Sequence, residues 1–322
     1  MRLRLVKQNT NFDFFSRWKL WLGISGVMMV VAFASFLLQG LNYGIDFRGG
    51  TTIRTESPRP VVVSEYRDAM TTLGLGDITI TEVFDPNFGP EQNVAMIRIQ
   101  AQDDQEAVTP ELIAAVEGAL QTARPDIKFV SVESVGPKVS GELINTAILA
   151  VSLAIGAVLI YIWLRFEWQF AAGAVLALIH DVILTIGVFS EVQIRFDLAI
   201  IAALLTIVGY SLNDTVVVFD RVRENLRKYK NRPLKEVLNK SINETLSRTF
   251  MTSFTTLLAL IALFVLGGDV IRGFVFAMIW GVIVGTYSSI FVASAILLYF
   301  GVKRDWTKPD ANAGNQYANI DA

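Results

Sequence analysis

The chain has 322 residues, 52% of them hydrophobic, and its 28 Lys plus Arg nearly balance 30 Asp plus Glu. A mean hydropathy of +0.46 is too high for a soluble domain of this length and predicts an integral membrane protein. The net charge of −2 and the lack of a glycine-rich phosphate loop speak against a nucleic-acid partner, and zero cysteines exclude disulfides, thiol catalysis and Cys-ligated metals. His180, the single histidine, leaves little for a metal site, and Ser-His catalysis would have to rest on it alone.

Taking about 20 apolar residues as the length that spans a bilayer, six segments qualify: Leu20 to Leu38, Leu143 to Leu164, Phe170 to Phe189, Leu198 to Phe219, Thr249 to Leu266 and Phe274 to Phe300. The fifth is the shortest and most polar. The first also carries a signal-peptide pattern, with Arg17 and Lys19 in front and Ala32-Phe33-Ala34 as a cleavage-like triplet. Apolar residues run on to Leu38 and five more spans follow, so an uncleaved helix is expected.

Basic residues set the orientation. With the N-terminus (1–19) inside, Arg2, Arg4, Lys7, Arg17 and Lys19 are cytoplasmic, and so are Arg165, the run from Arg221 through Lys240, and Lys303 with Arg304. The short turns on the opposite side carry only Arg195 and Arg272. The charge-rich loop 220–248 is therefore cytoplasmic, and its plain reading is a solvated helical connector. Residues 301–322 form a cytoplasmic tail, polar and aperiodic from Lys308 onward.

Between the first two spans lies one sizeable outer region, 39–141. Thr51 to Thr55 reads as a strand; Tyr66, Ala69, Met70 and Leu73 recur at helical spacing; Asp77 to Thr81 is a second strand before the turn-rich "DPNFGPEQ". Ala95, Ile97 and Ile99 alternate with Met96, Arg98 and Gln100 as a half-buried third strand. Leu112, Ile113, Val116 and Leu120 mark a second helix, and Asp126 to Val135 a fourth strand. The order βαββαβ is the ferredoxin-like split unit. The predicted fold is thus a polytopic α-helical membrane protein, six transmembrane helices (20–38, then five within 142–300) with one ferredoxin-like periplasmic domain between the first and second. No paired carboxylates or nucleophile stand out in that domain, which reads as a binding or moving part.

The candidate chemistry lies in the spans. "GYSLNDTVVVFDRV" (209–222) places Asn213 and Asp214 inside an apolar run. Asp214 lies five residues inside Phe219, about 7–8 Å below the inner surface at 1.5 Å per residue. A carboxylate at such depth costs roughly 2.5–3.5 kcal/mol on insertion scales. Thr206, Gly209, Tyr210, Asn213, Asp214, Asp220 and Arg221 read as one polar stripe. The fifth span opens on Arg248, followed by Thr249, Thr252, Ser253, Thr255 and Thr256, and the third contributes His180 and Asp181. Intramembrane ionisable groups mark ion or proton relays by default. Static packing is the plain alternative: Asp214 held by Arg248 or Asn213, Asp181 and the hydroxyls as interhelical glue, His180 as a satisfied core residue. Gly209 stacks one turn from Asn213, and Gly281 and Gly285 match the small-xxx-small pattern of close helix packing. Burial favours the protonated acid and a nearby guanidinium favours the carboxylate, so an Arg248 that approaches and withdraws would make Asp214 release and take up a proton.

Three stretches carry a family resemblance: "NYGIDFRGGT" after the first span, "RFEWQFAAGAVLALIHDVILT" across the third and "GYSLNDTVVVFDRVREN" at the fourth. Together, in this order, they resemble the SecF family, the smaller membrane subunits of SecD–SecF protein-export complexes, and the resemblance covers nearly the whole chain. It implies a SecD partner forming the other pseudo-symmetric half of a transporter similar to the resistance-nodulation-division exporters. It further implies association with SecYEG and YajC in the inner membrane, and a late, ATP-independent step in the export of a translocating polypeptide. The coupling ion would be a proton, or sodium, with no other cofactor. Asp214 and Arg248 match the family's ion-conducting acid and base.

One charge crossing 100 mV yields about 2.3 kcal/mol, whereas reversing a two-state balance from 1:99 to 99:1 needs roughly 5.5 kcal/mol. A single ion on voltage alone gives a partial bias; more ions per cycle, an added concentration gradient or closely spaced states would complete it. A lipid or drug exporter of the same architecture is the main rival, and the compact βαββαβ unit argues against its larger substrate cleft. An intramembrane aspartyl protease would need Tyr-Asp and Gly-x-Gly-Asp contexts, where this chain has His180-Asp181 and Leu212-Asn213-Asp214.

Overall fold

The computed structural model describes residues 10–75, 78–86, 88–100 and 109–302. Arg2, Arg4, Lys7, Asp77, Lys303, Arg304 and the tail from Lys308 lie outside the described residues. Helix α1 (Trp18–Gln39) leads through the short α2 (Ile45–Arg48) into a domain of β1 (Gly50–Ser57), α3 (Val63–Met70), β2 (Ile78–Val83), β3 (Asn93–Gln100), α4 (Pro110–Ala123) and β4 (Lys128–Val135). Then come α5 (Pro137–Arg165), α6 (Trp168–Val192), α7 (Leu198–Lys228), α8 (Leu234–Leu266) and α9 (Gly268–Ser288). A π turn (Ser289–Ala293) joins α9 to α10 (Ser294–Phe300). Six helical spans among the described residues are long and apolar enough to cross a membrane.

The sheet order is β2-β3-β1-β4, antiparallel throughout, which is the ferredoxin-like arrangement expected from the element order. Its core joins the residues the strand alternation and helical spacing picked out to others. Ala95, Ile97 and Ile99 point inward with Ile53 and Ile80, against Tyr66 and Met70 of α3 and Val116 and Leu120 of α4. Thr109 caps α4 by accepting from the Leu112 amide at 3.3 Å, with Pro110 at the first helical position. At the rim, Asp126 accepts from Ser57 and from the Arg59 guanidinium, which holds its carboxyl well below the usual carboxylate range.

Two joints seat this domain on the helices. At the first, Gly44 N donates to Phe196 O and Phe196 N to Asn42 O, both at 2.8 Å, while Asp46 accepts from the first amide of α7 at 3.0 Å. Tyr43, Phe47, Phe189 and Phe196 pack edge-on or tilted around it. The "RGGT" that follows turns the chain out of α2 into β1. Gly49 at φ +74 and Gly50 at φ +125 occupy a region that a Cβ disfavours, so two glycines stand there. Above this joint Arg98 of β3 and Arg195 of the α6–α7 turn flank the Met96 thioether, and burial and then the like charge of Arg195 pull the Arg98 guanidinium down to about 10.

The second joint is a reciprocal pair: the Phe84 amide donates to Asp269 Oδ2 at 2.6 Å and the Asp269 amide to Phe84 O at 3.1 Å. Arg272 steadies Asp269 from one turn on. The domain thus grips the turn where α8 ends. Asp269→Ala removes one of the two bonds, and the Phe84 amide is expected to exchange hydrogen about 10-fold faster, the equivalent of about 1.4 kcal/mol. The amides of β1 and β3 should keep their protection. Equal acceleration of all three would show that the joint holds nothing locally.

On the far side from the sheet, the stretch 220–248 departs from the expected loop. It is helical, as the connector reading has it, but α7 and α8 simply run on and meet at the turn 229–233. Nor is it solvated all round. Val222, Leu226, Val237, Leu238 and Ile242 bury one face against Phe15, Phe166 and Phe219. Asn225 donates to Ser241 and to Glu244, Arg221 pairs with Glu224 and Glu244, and Asn239 and Asn243 accept from the Phe14 and Phe12 amides at 2.8 Å. The charges that suggested solvent cover only the outer face.

Candidate functional site

Helices α6 and α9 are the most buried of the spans, whereas α5 and α8 stand largely exposed in the isolated chain. Close approach at the centre comes from missing side chains: a Cβ on Gly281 would lie 2.3 Å from Ile207 of α7, and one on Gly285 3.0 Å from Ser211. One on Gly187 would meet Ala32 of α1 at 2.2 Å. Gly209 differs from the packing role read for it: among the described residues nothing lies within 4 Å of where a Cβ on it would sit.

Within that centre two carboxylates are caged by hydroxyls. Asp214 is buried on α7; its Oδ1 accepts from Thr249 of α8 at 2.6 Å and its Oδ2 from Ser289 of the π turn at 2.5 Å. Asp181 on α6 is buried more completely. Its Oδ2 accepts from Ser211 of α7 at 2.6 Å and from Ser288 of α9 at 2.8 Å, and its Oδ1 faces His180 Nδ1 at 2.9 Å. The His180 ring stacks on Tyr287, 6.2 Å between centroids, and its buried Nε2 has no hydrogen-bond partner among the described residues. A second hydroxyl chain lies alongside: Tyr210 to Ser253 at 3.4 Å and Ser253 to Thr286 at 2.6 Å. Hydroxyls both donate and accept, so such a lining accommodates a carboxylate or a carboxylic acid without leaving a polar atom bare.

The sequence-predicted residues divide. Asp214, Asp181 and His180 converge on this centre. Arg248 stands within electrostatic range of Asp214 but is exposed and forms no ion pair among the described residues; Thr249, its neighbour, makes the contact instead. Asn213 is exposed, and the single polar stripe splits: Asp214 turns inward, where Ser211 and Thr215 are also buried, while Thr206, Gly209 and Asn213 face outward. Thr252, Thr255 and Thr256 bond to carbonyls of their own helix. Ser211, Ser288 and Ser289 were not singled out in the sequence; two adjacent serines at the depth of an intramembrane acid are the signal that could have found them. No cluster of three or more His, Cys, Asp or Glu among the described residues is placed to hold a metal.

Fold and site together define a multi-pass helical membrane protein with a ferredoxin-like domain inserted after the first span and a pair of caged acids between the others. The family description "Protein export membrane protein SecD/SecF, C-terminal" matches residues 115–303, and "SecD/SecF GG Motif" matches 34–57, the stretch containing the positive-φ pair Gly49 and Gly50. The chain is 61% identical to protein translocase subunit SecF of Cereibacter sphaeroides, over 100% of this chain and 99% of that one. Against the subunit of the same name from Vibrio alginolyticus it is 43% identical over 92% of each. It belongs to the SecF family of protein translocase subunits. Among solved structures it resembles SecDF, a translocon-associated membrane protein from Thermus thermophilus, with TM-score 0.80 and 35% identity. That match covers 93% of this chain and 40% of the SecDF chain.

Proposed function

We propose that this chain works as the SecF half of a SecD–SecF accessory complex. In this reading the complex uses the proton or sodium gradient to drive the late, ATP-independent stage of protein export across the bacterial inner membrane, alongside SecYEG and YajC. Both termini are cytoplasmic, the ferredoxin-like domain is periplasmic and contacts the emerging polypeptide, and the role is mechanical rather than enzymatic. The observation that carries the reading is the caged Asp214, which sits where α7, α8 and the π turn meet. Its partner Thr249 is on α8, whose other end is the turn held by the Phe84–Asp269 pair. A change of charge at Asp214 loosens or tightens α8, and α8 passes the displacement to the domain. Asp181 and His180 extend the ion path, Arg248 is the cation that biases Asp214, and the outward face of Thr206, Gly209 and Asn213 meets the SecD half. Support for that half also comes from SecDF itself, of which this chain matches only 40%.

The direct test is export into inverted vesicles with the proton and sodium gradients collapsed separately. Collapse of one gradient is expected to slow the late stage, and collapse of the other to leave it unchanged. Late export indifferent to the loss of both would dismiss the ion-driven reading.

A further inference from the structure

Asp181 and Asp214 sit on different helices, yet two consecutive residues serve both. Ser288, the last of α9, donates to Asp181, and Ser289, the first of the π turn, donates to Asp214. Helix α7 closes the circuit, since Ser211 donates to Asp181 three residues before Asp214. The result is a ring through α6, α7 and α9. It crosses the sixth span where the backbone leaves α geometry. A π turn carries one more residue than an α turn and is a marginal structure, commonly found at functional sites. Here Ser294 donates to Ser289 O, five residues back, at 3.1 Å, so side-chain hydroxyls support the turn on both sides.

We propose that Ser288 and Ser289 are positioning residues that make the two buried acids take up protons as a pair, two per cycle. The inference deepens the ion-driven reading and rests on it. An ionised Asp214 is a strong acceptor for Ser289, and a neutral one is weaker. Once that bond slackens, the turn is free to slip toward α register, and the same rotation draws Ser288 away from Asp181. A carboxylate that loses a donor is less favoured in its charged form, so Asp181 then takes its own proton more readily. Through-space repulsion has the opposite sign, because neutralising one acid helps the other stay ionised. The sign of the coupling therefore separates the serine bridge from plain electrostatics. The groups facing Asp181 are His180 on its own helix, which stacks in turn on the Tyr287 ring of α9, Ser211 of α7 and Ser288 of α9; those facing Asp214 are Thr249 and Arg248 of α8 and Ser289, with Tyr210 one turn away. Two acids that move together carry twice the charge of one per cycle, which narrows the shortfall of a single ion.

The test uses the full chain in lipid vesicles, following the infrared band of protonated carboxyls against pH, with Asp181→Asn and Asp214→Asn assigning each contribution. The native chain is expected to titrate in one step with a Hill coefficient approaching about 2, the limit for two sites. Ser288→Ala removes a bond to Asp181, another to the Gly285 carbonyl and none to Asp214, yet the Asp214 band is expected to broaden to a slope of about 1. Ser288→Thr, which keeps the hydroxyl, restores the steep step. Ser289→Ala read at Asp181 gives the same comparison should Ser288→Ala misfold. Two separate steps in the native chain, or an Asp214 band indifferent to Ser288→Ala, would overturn the proposal. Failure of the underlying reading looks different: the acids titrate together while Asp214→Asn leaves gradient-driven export intact.

Discussion

Asp214→Asn is expected to bring late export down to the rate seen without a gradient, while the chain stays folded. The two halves of that expectation have separate causes. Asparagine keeps one acceptor where the carboxylate has two and replaces the other with a donor. Thr249 and Ser289 are both hydroxyls, so one continues to donate to the amide oxygen and the other turns to accept from the amide nitrogen. No buried polar atom is stranded, and the helices keep their spacing. What disappears is the ability to exist in two charge states, and with it any differential response to the gradient. Asp214→Ala separates the two effects from the other direction. It leaves the Thr249 and Ser289 hydroxyls without their acceptor, at about 1–3 kcal/mol for each donor left unsatisfied, so it should lose thermal stability as well as export. Ser289 has a fallback in Thr286 O at 3.1 Å, which places the loss toward the low end. Thermal unfolding and vesicle export measured on both variants check this. Gradient-dependent acceleration surviving in Asp214→Asn would remove the acid from the mechanism.

Much of this architecture is legible from residue patterns alone, and the parts that are not fail for identifiable reasons. The ferredoxin-like domain reads cleanly because the third strand alternates, both helices show their apolar spacing within a few turns, and turn-rich segments separate the elements. The spans read cleanly because length and hydropathy suffice. The hairpin beyond Phe219 reads only as a connector. Its charges are visible in the sequence, but the buried stripe of Val222, Leu226, Val237, Leu238 and Ile242 is spaced across two helices that must first be known to pack. Depth arithmetic brings Arg248 level with Asp214 but is blind to rotation about the helix axis, and one residue of rotation gives the contact to Thr249. The same rotation divides Asn213 from Asp214. The π turn has no sequence signature, because a helix register is settled by which hydroxyls and carboxylates happen to face it. Ala32 shows the opposite failure, a real signal with two meanings. In the Ala32-Phe33-Ala34 triplet it resembles a processing site, and in the fold it is the small residue against which Gly187 packs.

That contact sets up a second expected loss of stability. A Cβ at Gly187 would sit 2.2 Å from the Ala32 Cβ and 2.6 Å from its Cα, and backbone cannot swing aside as a side-chain tip can. Gly187→Ala must therefore push α1 off α6. Overpacking of this kind typically costs about 1–3 kcal/mol, more than the roughly 1 kcal/mol that alanine gains over glycine within a helix. Gly209→Ala meets nothing within 4 Å and should show that helical gain undiluted, so the two variants are expected to shift the melting temperature of the isolated chain in opposite directions. In the presence of a SecD half the ranking should change. Gly209 shares the outward face of Asn213, the face proposed above to meet that half, and a larger residue such as Leu there would stand in its way. Gly209→Leu is accordingly expected to leave the isolated chain at least as stable as native yet to weaken co-purification of the partner, whereas Gly187→Ala weakens the chain whether or not the partner is present. If Gly209→Leu co-purifies as well as native, the outward face of α7 is lipid-facing, and the partner must sit elsewhere on the exposed surface of α5 or α8.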